Sequence, residues 1–222
     1  MYNIPVNTEP YDCAYFYHRK AAEPQPGVWR EALPEAPALA EGESVPLPAG
    51  AVELALEWTP GPRGVALDCD LTALTLDQEG KVRRRYDMAF YNQRTDRTGT
   101  VIHGGDDALS TQKGGESLTI HLDRAPEELT QVLVSLSVYR WEVGSPGLEA
   151  LADLRLTVTD LAAGRIVGSY ALDSSSLSGP GAALVSLRRE NSGWRMVRAS
   201  TPWESWQILD QARACGLTKW KE

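Results

Sequence analysis

Apolar and polar residues alternate with a period of two along much of the chain after Gly50. Val52, Leu54, Leu56 and Trp58 alternate with glutamate and alanine, which is typical of a strand with one buried face. The pattern returns in later segments, at 65–73, 118–122, 132–138, 154–158, 166–172, 182–189 and 194–199. Many short strands at this spacing predict an all-β fold, either a sandwich or a barrel.

A helix is predicted near the C-terminal end. Thr201-Pro202-Trp203-Glu204 matches a capping box with proline at the first helical position. An apolar stripe follows, made of Trp206, Leu209, Ala212 and Cys215, and Gly216 stands where a C-terminal cap belongs. We therefore expect a short helix that packs on the β-rich body.

Residues 1–37 predict an N-terminal arm with a proline-rich connector. Six of the 14 prolines lie between Pro24 and Pro48, and proline disfavours helix and removes backbone donors. An aromatic cluster precedes this stretch, at Tyr11, Tyr15, Phe16 and Tyr17. Such a cluster either pins the arm onto the body or docks a partner, and both interpretations stay open.

Composition and charge exclude several classes of protein. The chain is 42% hydrophobic and 23% charged, with a formal net charge of -8, which argues against nucleic-acid binding and polybasic membrane binding. No apolar run approaches the roughly 18 residues of a membrane span, so we expect no membrane insertion. The first twenty residues lack a secretory signal pattern, which favours the cytoplasm. The three cysteines are far apart and form neither a disulfide framework nor a zinc ligand set.

Catalytic motifs are missing from the sequence. Phosphate-binding loops, dinucleotide fingerprints, H-E-x-x-H, C-x-x-C and G-x-S-x-G are all absent. We therefore expect a protein that is not an enzyme. A hydrolase site around His103, Asp106 and Asp107 is an alternative from another class, although no spacing of nucleophile and base supports it.

Acidic residues form the main candidate site. Asp68 and Asp70 share one face of a predicted strand, about 6.6 Å apart along it. Asp106, Asp107 and Glu116 belong to a glycine-rich segment, 98–116, that is predicted to be a long loop. Calcium takes six to eight oxygen ligands from such groups, but acidic residues near turns are often simply solvated. The spacing alone leaves both interpretations open.

The sequence resembles the TerD family, the tellurium-resistance and general stress-response proteins of bacteria. The resemblance covers about 38–218 and rests on a set of segments in their order: Leu39-Ala40-Glu41-Gly42, Leu67-Asp68-Cys69-Asp70-Leu71, Asp77-Gln78-Glu79-Gly80, Phe90-Tyr91-Asn92-Gln93, Val101-Ile102-His103-Gly104-Gly105-Asp106 and Gly193-Trp194-Arg195-Met196-Val197. It implies a β-sandwich of two antiparallel sheets with a short C-terminal helix packed on it. Residues 38–222 are then a TerD-like domain.

The resemblance also implies calcium bound by loops at one end of the sandwich. Asp68, Asp70, Asp106 and Glu116 match family positions for that site, and Asn92 is expected nearby. His103 is expected beside the site for a different reason, because it precedes a Gly-Gly-Asp-Asp turn. The chain departs from the pattern in two places: Lys113-Gly114-Gly115-Glu116 lacks two of the expected carboxylates, and Arg140 stands where an aspartate is expected. Asp107 adds one acid back. Calcium affinity falls with ligand charge, so the site is expected to be weakened.

Two hypotheses about function follow. The first is a non-enzymatic TerD-type stress-response protein, a binding or scaffolding module with a weakened calcium site. The second is a metal-free interaction domain in which Arg140 replaces the cation, by pairing with Asp68 or Asp70, and the N-terminal arm docks a partner. In both, the expected partner is another protein, with other stress-response proteins as candidates, and not a nucleic acid.

Overall fold

Two antiparallel sheets form the body of the protein, as the sequence predicts. The computed structural model describes residues 43–61, 67–105 and 114–218. The elements are β1 (Ser44–Pro46), β2 (Ala51–Pro60), β3 (Cys69–Leu76), β4 (Met88–Ala89), β5 (Val101–His103), β6 (Gly114–His121), β7 (Gln131–Val138), β8 (Leu151–Asp160), β9 (Arg165–Ala171), β10 (Gly181–Glu190), β11 (Gly193–Trp203) and α1 (Ile208–Ala214). Within these ranges, short 3₁₀ turns lie at Leu148–Ala150 and Ser174–Ser176.

The strand order explains where the core lies. One sheet has the order β1-β11-β10-β7-β3-β4, and the other has the order β5-β6-β2-β8-β9. The predicted alternation of β2 is confirmed, because Val52, Leu54, Leu56 and Trp58 are all buried while their neighbours are partly exposed. These side chains join apolar residues of the other sheet in one large cluster between the two layers. Burying one face of each sheet against the other is the main source of stability in such a fold.

A second cluster covers the outer face of the six-stranded sheet. Leu74 and Leu76 of β3 and Leu133 of β7 pack there against Ala212 of α1 and the following Leu217. The predicted packing of the C-terminal helix on the sandwich is therefore confirmed. The sheet is buried on both faces at this point, which is why every residue of β3 is buried.

The predicted start of that helix is wrong. Thr201, Pro202 and Trp203 belong to β11, where Trp203 lies opposite Gly181 of β10, and the helix begins only at Ile208. Pairing with β10 over this length outweighs the local capping signal, since tertiary context overrides helix propensity. The predicted end is confirmed. Gly216 has a φ of 89°, and Leu217 N–H donates to Ala212 O at 3.0 Å, as in a Schellman cap.

The predicted long loop at 98–116 is also wrong in part. It contains β5, and β6 already begins at Gly114, so Glu116 lies in a strand. Gly114 faces Trp58 so closely that a Cβ on Gly114 would lie 2.4 Å from the indole ring. The glycines that indicate a loop in the sequence therefore allow a strand to pass beside a tryptophan.

Several predictions concern residues outside the described ranges. Asp106, Asp107 and Lys113 lie there, as does the first part of the predicted strand at 65–73. The chain divides into two units, Met1–Glu35 and Ala36–Glu222, and the first unit lies wholly outside the described residues. Within the described ranges, no helix is long and apolar enough to cross a membrane.

Candidate functional site

Asp70 lies on the outer face of the six-stranded sheet. Cys69 and Leu71 belong to the cluster between the sheets, so strand alternation turns Asp70 and Thr72 to the opposite face. There Asp70 lies opposite Ser137 of β7 and is only 6% exposed. The pairing of β3 with β7 continues one residue beyond both strands, because Tyr139 N–H donates to the carbonyl oxygen of Asp68 at 2.7 Å.

Glu116 points the other way, into the space between the sheets. It lies opposite Leu56 on β2 and shares the inward face of β6 with Leu118. Its Oε2 accepts a hydrogen bond from the backbone N–H of Leu71 at 2.5 Å. A buried carboxylate is stabilised by such a bond to a backbone donor, so Glu116 connects the two sheets.

His103 completes this connection. Its side chain is 1% exposed, and its Nδ1 accepts a hydrogen bond from Gly105 N–H at 3.1 Å. The ring proton therefore belongs on Nε2, which lies 3.0 Å from Leu71 O and 3.4 Å from Glu116 Oε2. We call Leu71, His103 and Glu116 the Leu71 bridge. In it, side chains from the five-stranded sheet bind both backbone polar groups of one residue in the six-stranded sheet.

The local shape of the sheet explains why the bridge forms. Strand β4 pairs with β3 only at Ala73 and Leu74. At Leu71 the edge of β3 would otherwise present an N–H and a carbonyl without a strand to bind them. Buried backbone groups need partners, and the Leu71 bridge supplies them.

The acidic side chains affect the thiol of Cys69. Burial is the largest cause that raises the pKa of this thiol, and the negative charges of Asp70, Asp68 and Glu116 raise it further. A thiolate is therefore strongly disfavoured at this position. Burial also raises the pKa of the Cys215 thiol. Neither thiol has the low pKa that redox or nucleophilic chemistry needs.

Asn92 and Arg140 are more exposed than the residues of the Leu71 bridge. Asn92 is exposed in the tight turn between Phe90 and Gln93, whose backbones exchange two hydrogen bonds. The Arg140 side chain is exposed and stacks over the Tyr139 ring at 5.1 Å. Within the described residues no ion pair within 4.0 Å joins Arg140 to Asp68 or Asp70. The hypothesis that Arg140 replaces a cation there stays a prediction.

An aromatic chain connects three segments beside this site. Phe90, Tyr91, Tyr139 and Trp206 pack edge to face, with ring centroids 5.6, 6.2 and 5.4 Å apart in that order. Neither this aromatic chain nor the Leu71 bridge is among the features predicted from the sequence. For the bridge a signal exists, because Glu116 continues the inward alternation of Leu118 and Ile120.

The described residues alone do not form a calcium cage. Asp70 lies on one side of β3 and Glu116 on the other. Within ranges 43–61, 67–105 and 114–218, no three carboxylate, imidazole or thiol groups are grouped closely enough to hold a metal ion. Calcium needs six to eight oxygens, and two carboxylates supply only part of that set. The assignment of Asp68, Asp70, Asn92, Asp106, Asp107 and Glu116 as ligands stays a prediction.

The fold and the carboxylates at the start of β3 define a class of protein. It is an antiparallel β-sandwich with Asp68 and Asp70 at the beginning of one strand. Residues 36–204 match the family model for the TerD domain. The match covers most of the chain, and the protein belongs to the TerD family.

Individual relatives agree with this assignment. The chain is 36% identical over 77 residues to the tellurium resistance protein TerD of Serratia marcescens, and this stretch covers 34% of the chain and 40% of the relative. It is 28% identical over 83 residues to general stress protein 16U of Bacillus subtilis (strain 168), covering 37% of the chain and 43% of that protein. The chain thus spans less than half the length of these relatives.

A solved structure shows the same fold. The crystal structure of a homologue of telluride resistance protein (TerD) from Streptomyces coelicolor A3(2) superposes with a TM-score of 0.57 at 16% identity. The superposition covers 77% of this chain and 100% of that one. At this identity the likeness bears on the fold.

Proposed function

We propose that this chain is a non-enzymatic TerD-type binding module whose fold does not depend on calcium and whose calcium site is weak. The Leu71 bridge carries this proposal. In it Glu116 and His103, two of the polar residues that the sequence assigns to the site, bind the backbone of Leu71 without a cation. Asp70, on the outer face, and the preceding Asp68 are then the described carboxylates that we propose as cation ligands.

The same observation supports a role without catalysis. His103 is buried, and hydrogen bonds engage both of its ring nitrogens. A general base has to reach the proton that it removes, and this imidazole faces the backbone of Leu71. With the raised pKa of Cys69, the candidates for nucleophile and base around the site lack the access and activation that catalysis needs.

Calcium titration by calorimetry on metal-stripped protein tests the proposal. We expect a dissociation constant on the order of 10⁻⁴ to 10⁻³ M, the range of sites with few charged ligands. Asp70→Asn should weaken binding about tenfold or more, whereas the exposed Asp123→Asn, on a turn away from the site, should leave binding unchanged. Binding at 10⁻⁷ M or tighter would contradict the proposal of a weakened site.

Arg140→Asp separates the two hypotheses from the sequence. If Arg140 replaces the cation, this variant should raise calcium affinity by about tenfold or more, since it removes a positive charge and adds a carboxylate. Our proposal places Arg140 on the Tyr139 ring and predicts a gain of only a few fold. Arg140→Gln is the matched control, because it removes the charge without adding a ligand.

A further inference from the structure

A cleft beside the C-terminal helix is lined by neither Asp68 nor Asp70. It has a volume of about 520 Å³ and lies between the end of β11 and α1. The lining residues that matter here are Trp203, Glu204, Ser205, Asp210 and Gln211. We call it the Trp203 cleft. This volume is within the range of small-ligand pockets and is ample for one large side chain.

Gln211 gives the cleft a polar group that the fold leaves unsatisfied. Its side chain is 1% exposed, and its Nε2 makes a long hydrogen bond of 3.4 Å to Trp206 O. Its Oε1 is buried and accepts no hydrogen bond from the described residues. Exchanging the two amide atoms would place Oε1 against the Trp206 carbonyl, so the orientation is fixed by that contact. A buried carbonyl without a donor is unfavourable, and a ligand that donates to it would remove that cost.

The charges around this carbonyl select a cation. Glu204 is exposed at the cleft, and it forms no ion pair within the described residues. Asp210 accepts hydrogen bonds from Ser205 Oγ at 2.9 Å and from Arg213 Nη1 at 3.1 Å. Each carboxylate oxygen can accept a further bond, so Asp210 keeps acceptor capacity toward the cleft. The lining therefore offers acceptors and negative charge.

Trp203 supplies a fixed aromatic wall. Its Nε1–H donates to Ser135 Oγ of β7 at 3.1 Å, and its ring packs on the cluster under α1. A ring held in this way loses little freedom when a ligand stacks on it. A guanidinium group is planar, carries five N–H donors and stacks on indole faces, whereas an ammonium group is a compact point charge.

We propose that the Trp203 cleft binds an arginine side chain from a basic segment of a partner protein. The guanidinium would stack on Trp203 and donate to Gln211 Oε1 and to the carboxylates of Glu204 and Asp210. This goes beyond the proposed function, since the lining of the cleft includes none of the proposed calcium ligands. The arginine proposal therefore does not depend on calcium binding.

Two capped tripeptides test the proposal on the full chain: acetyl-Gly-Arg-Gly-amide, and the same peptide with citrulline, which keeps the shape but has no charge. Nuclear magnetic resonance titration should shift the Trp203 indole N–H signal with the arginine peptide, and the citrulline peptide should bind at least about tenfold more weakly. Equal binding of the two peptides, or no shift at about 10 mM arginine peptide, would overturn the proposal. A third peptide, acetyl-Gly-Lys-Gly-amide, tests the choice of guanidinium, and tighter binding of this peptide than of the arginine peptide would overturn that choice.

Variants identify the site. Gln211→Leu and Glu204→Gln should each weaken the arginine peptide about fivefold or more, while Glu127→Gln, an exposed control outside the cleft, should not. Arg213→Gln should tighten binding about threefold, because it removes the internal competitor for Asp210. Should Gln211→Leu fail to fold, the exposed Glu204→Gln decides the question, and unchanged affinity in that variant would place the arginine elsewhere.

Discussion

At the scale of single residues, the pKa of the Cys69 thiol depends on its burial and its acidic surroundings. Burial and the nearby carboxylates raise its pKa in the folded state above the ordinary value of 9.0. The unfolded chain therefore loses this proton first as the pH rises through about 9. The free energy of unfolding should fall above that pH by up to about 1.4 kcal/mol per pH unit from this group alone.

Urea unfolding of the wild type and Cys69→Ala at pH 8 to 10.5 checks this prediction. The variant should be less stable at pH 8, because it leaves a small cavity, and the difference between the two proteins should shrink as the pH rises. Parallel stability curves across this range would show that Cys69 ionises normally in the folded protein.

Glu116 tests the Leu71 bridge directly. Glu116→Ala leaves Leu71 N–H buried without its acceptor and should cost about 2–3 kcal/mol of unfolding free energy. Glu116→Gln keeps an acceptor oxygen at the same reach and should lose about 1 kcal/mol or less. The check is chemical denaturation of both variants in metal-free buffer. An equal loss in both would mean that the charge, and not the hydrogen bond, stabilises the protein at this position.

At the scale of elements, β6 shows that glycine residues can belong to a strand as well as to a loop. The run from Thr98 to Glu116 contains glycines that indicate a loop, yet Gly114 and Gly115 pair with Trp58 and Glu57 in β2. Gly114→Ala would place a methyl group against the Trp58 ring and should destabilise the protein by about 1–3 kcal/mol. Gly50→Ala, where a Cβ meets nothing within 4 Å, is the matched control for thermal melting. Equal melting temperatures of the two variants would contradict the close packing.

The C-terminal helix shows what local sequence patterns can and cannot predict. Its end could be predicted because glycine is the residue that most readily adopts the positive φ of a helix C-cap, as Gly216 does. Its start could not be, because Thr201 to Trp203 satisfy both a capping box and a strand, and pairing with the distant Gly181 decides between them. Alternation with a period of two predicts most of the strands for the same reason that it predicts the core. One face of each strand must meet the other sheet.

At the scale of the whole molecule, the candidate site was less predictable than the fold. The sequence places Asp68, Asp70 and Glu116 in one acidic group, whereas the structure puts Glu116 on the inner side of β3 and Asp70 on the outer side. Sequence spacing gives the facing of residues along one strand but not the sheet from which another residue arrives. The Leu71 bridge joins residues far apart in the chain, so the local alternation shows which way Glu116 faces but not that it meets the backbone of Leu71.

Thermal unfolding of the metal-stripped protein, with chelator and then with 1 mM calcium, tests the central claim most directly. If the Leu71 bridge, and not calcium, connects the two sheets beside the start of β3, the metal-stripped protein should unfold in one cooperative transition. Calcium with a dissociation constant of about 10⁻³ to 10⁻⁴ M should then add only about 0.4–1.4 kcal/mol by mass action, a shift of a few degrees. A stripped protein without a cooperative transition, or one whose melting temperature rises by about 15 °C or more with calcium, would contradict the account.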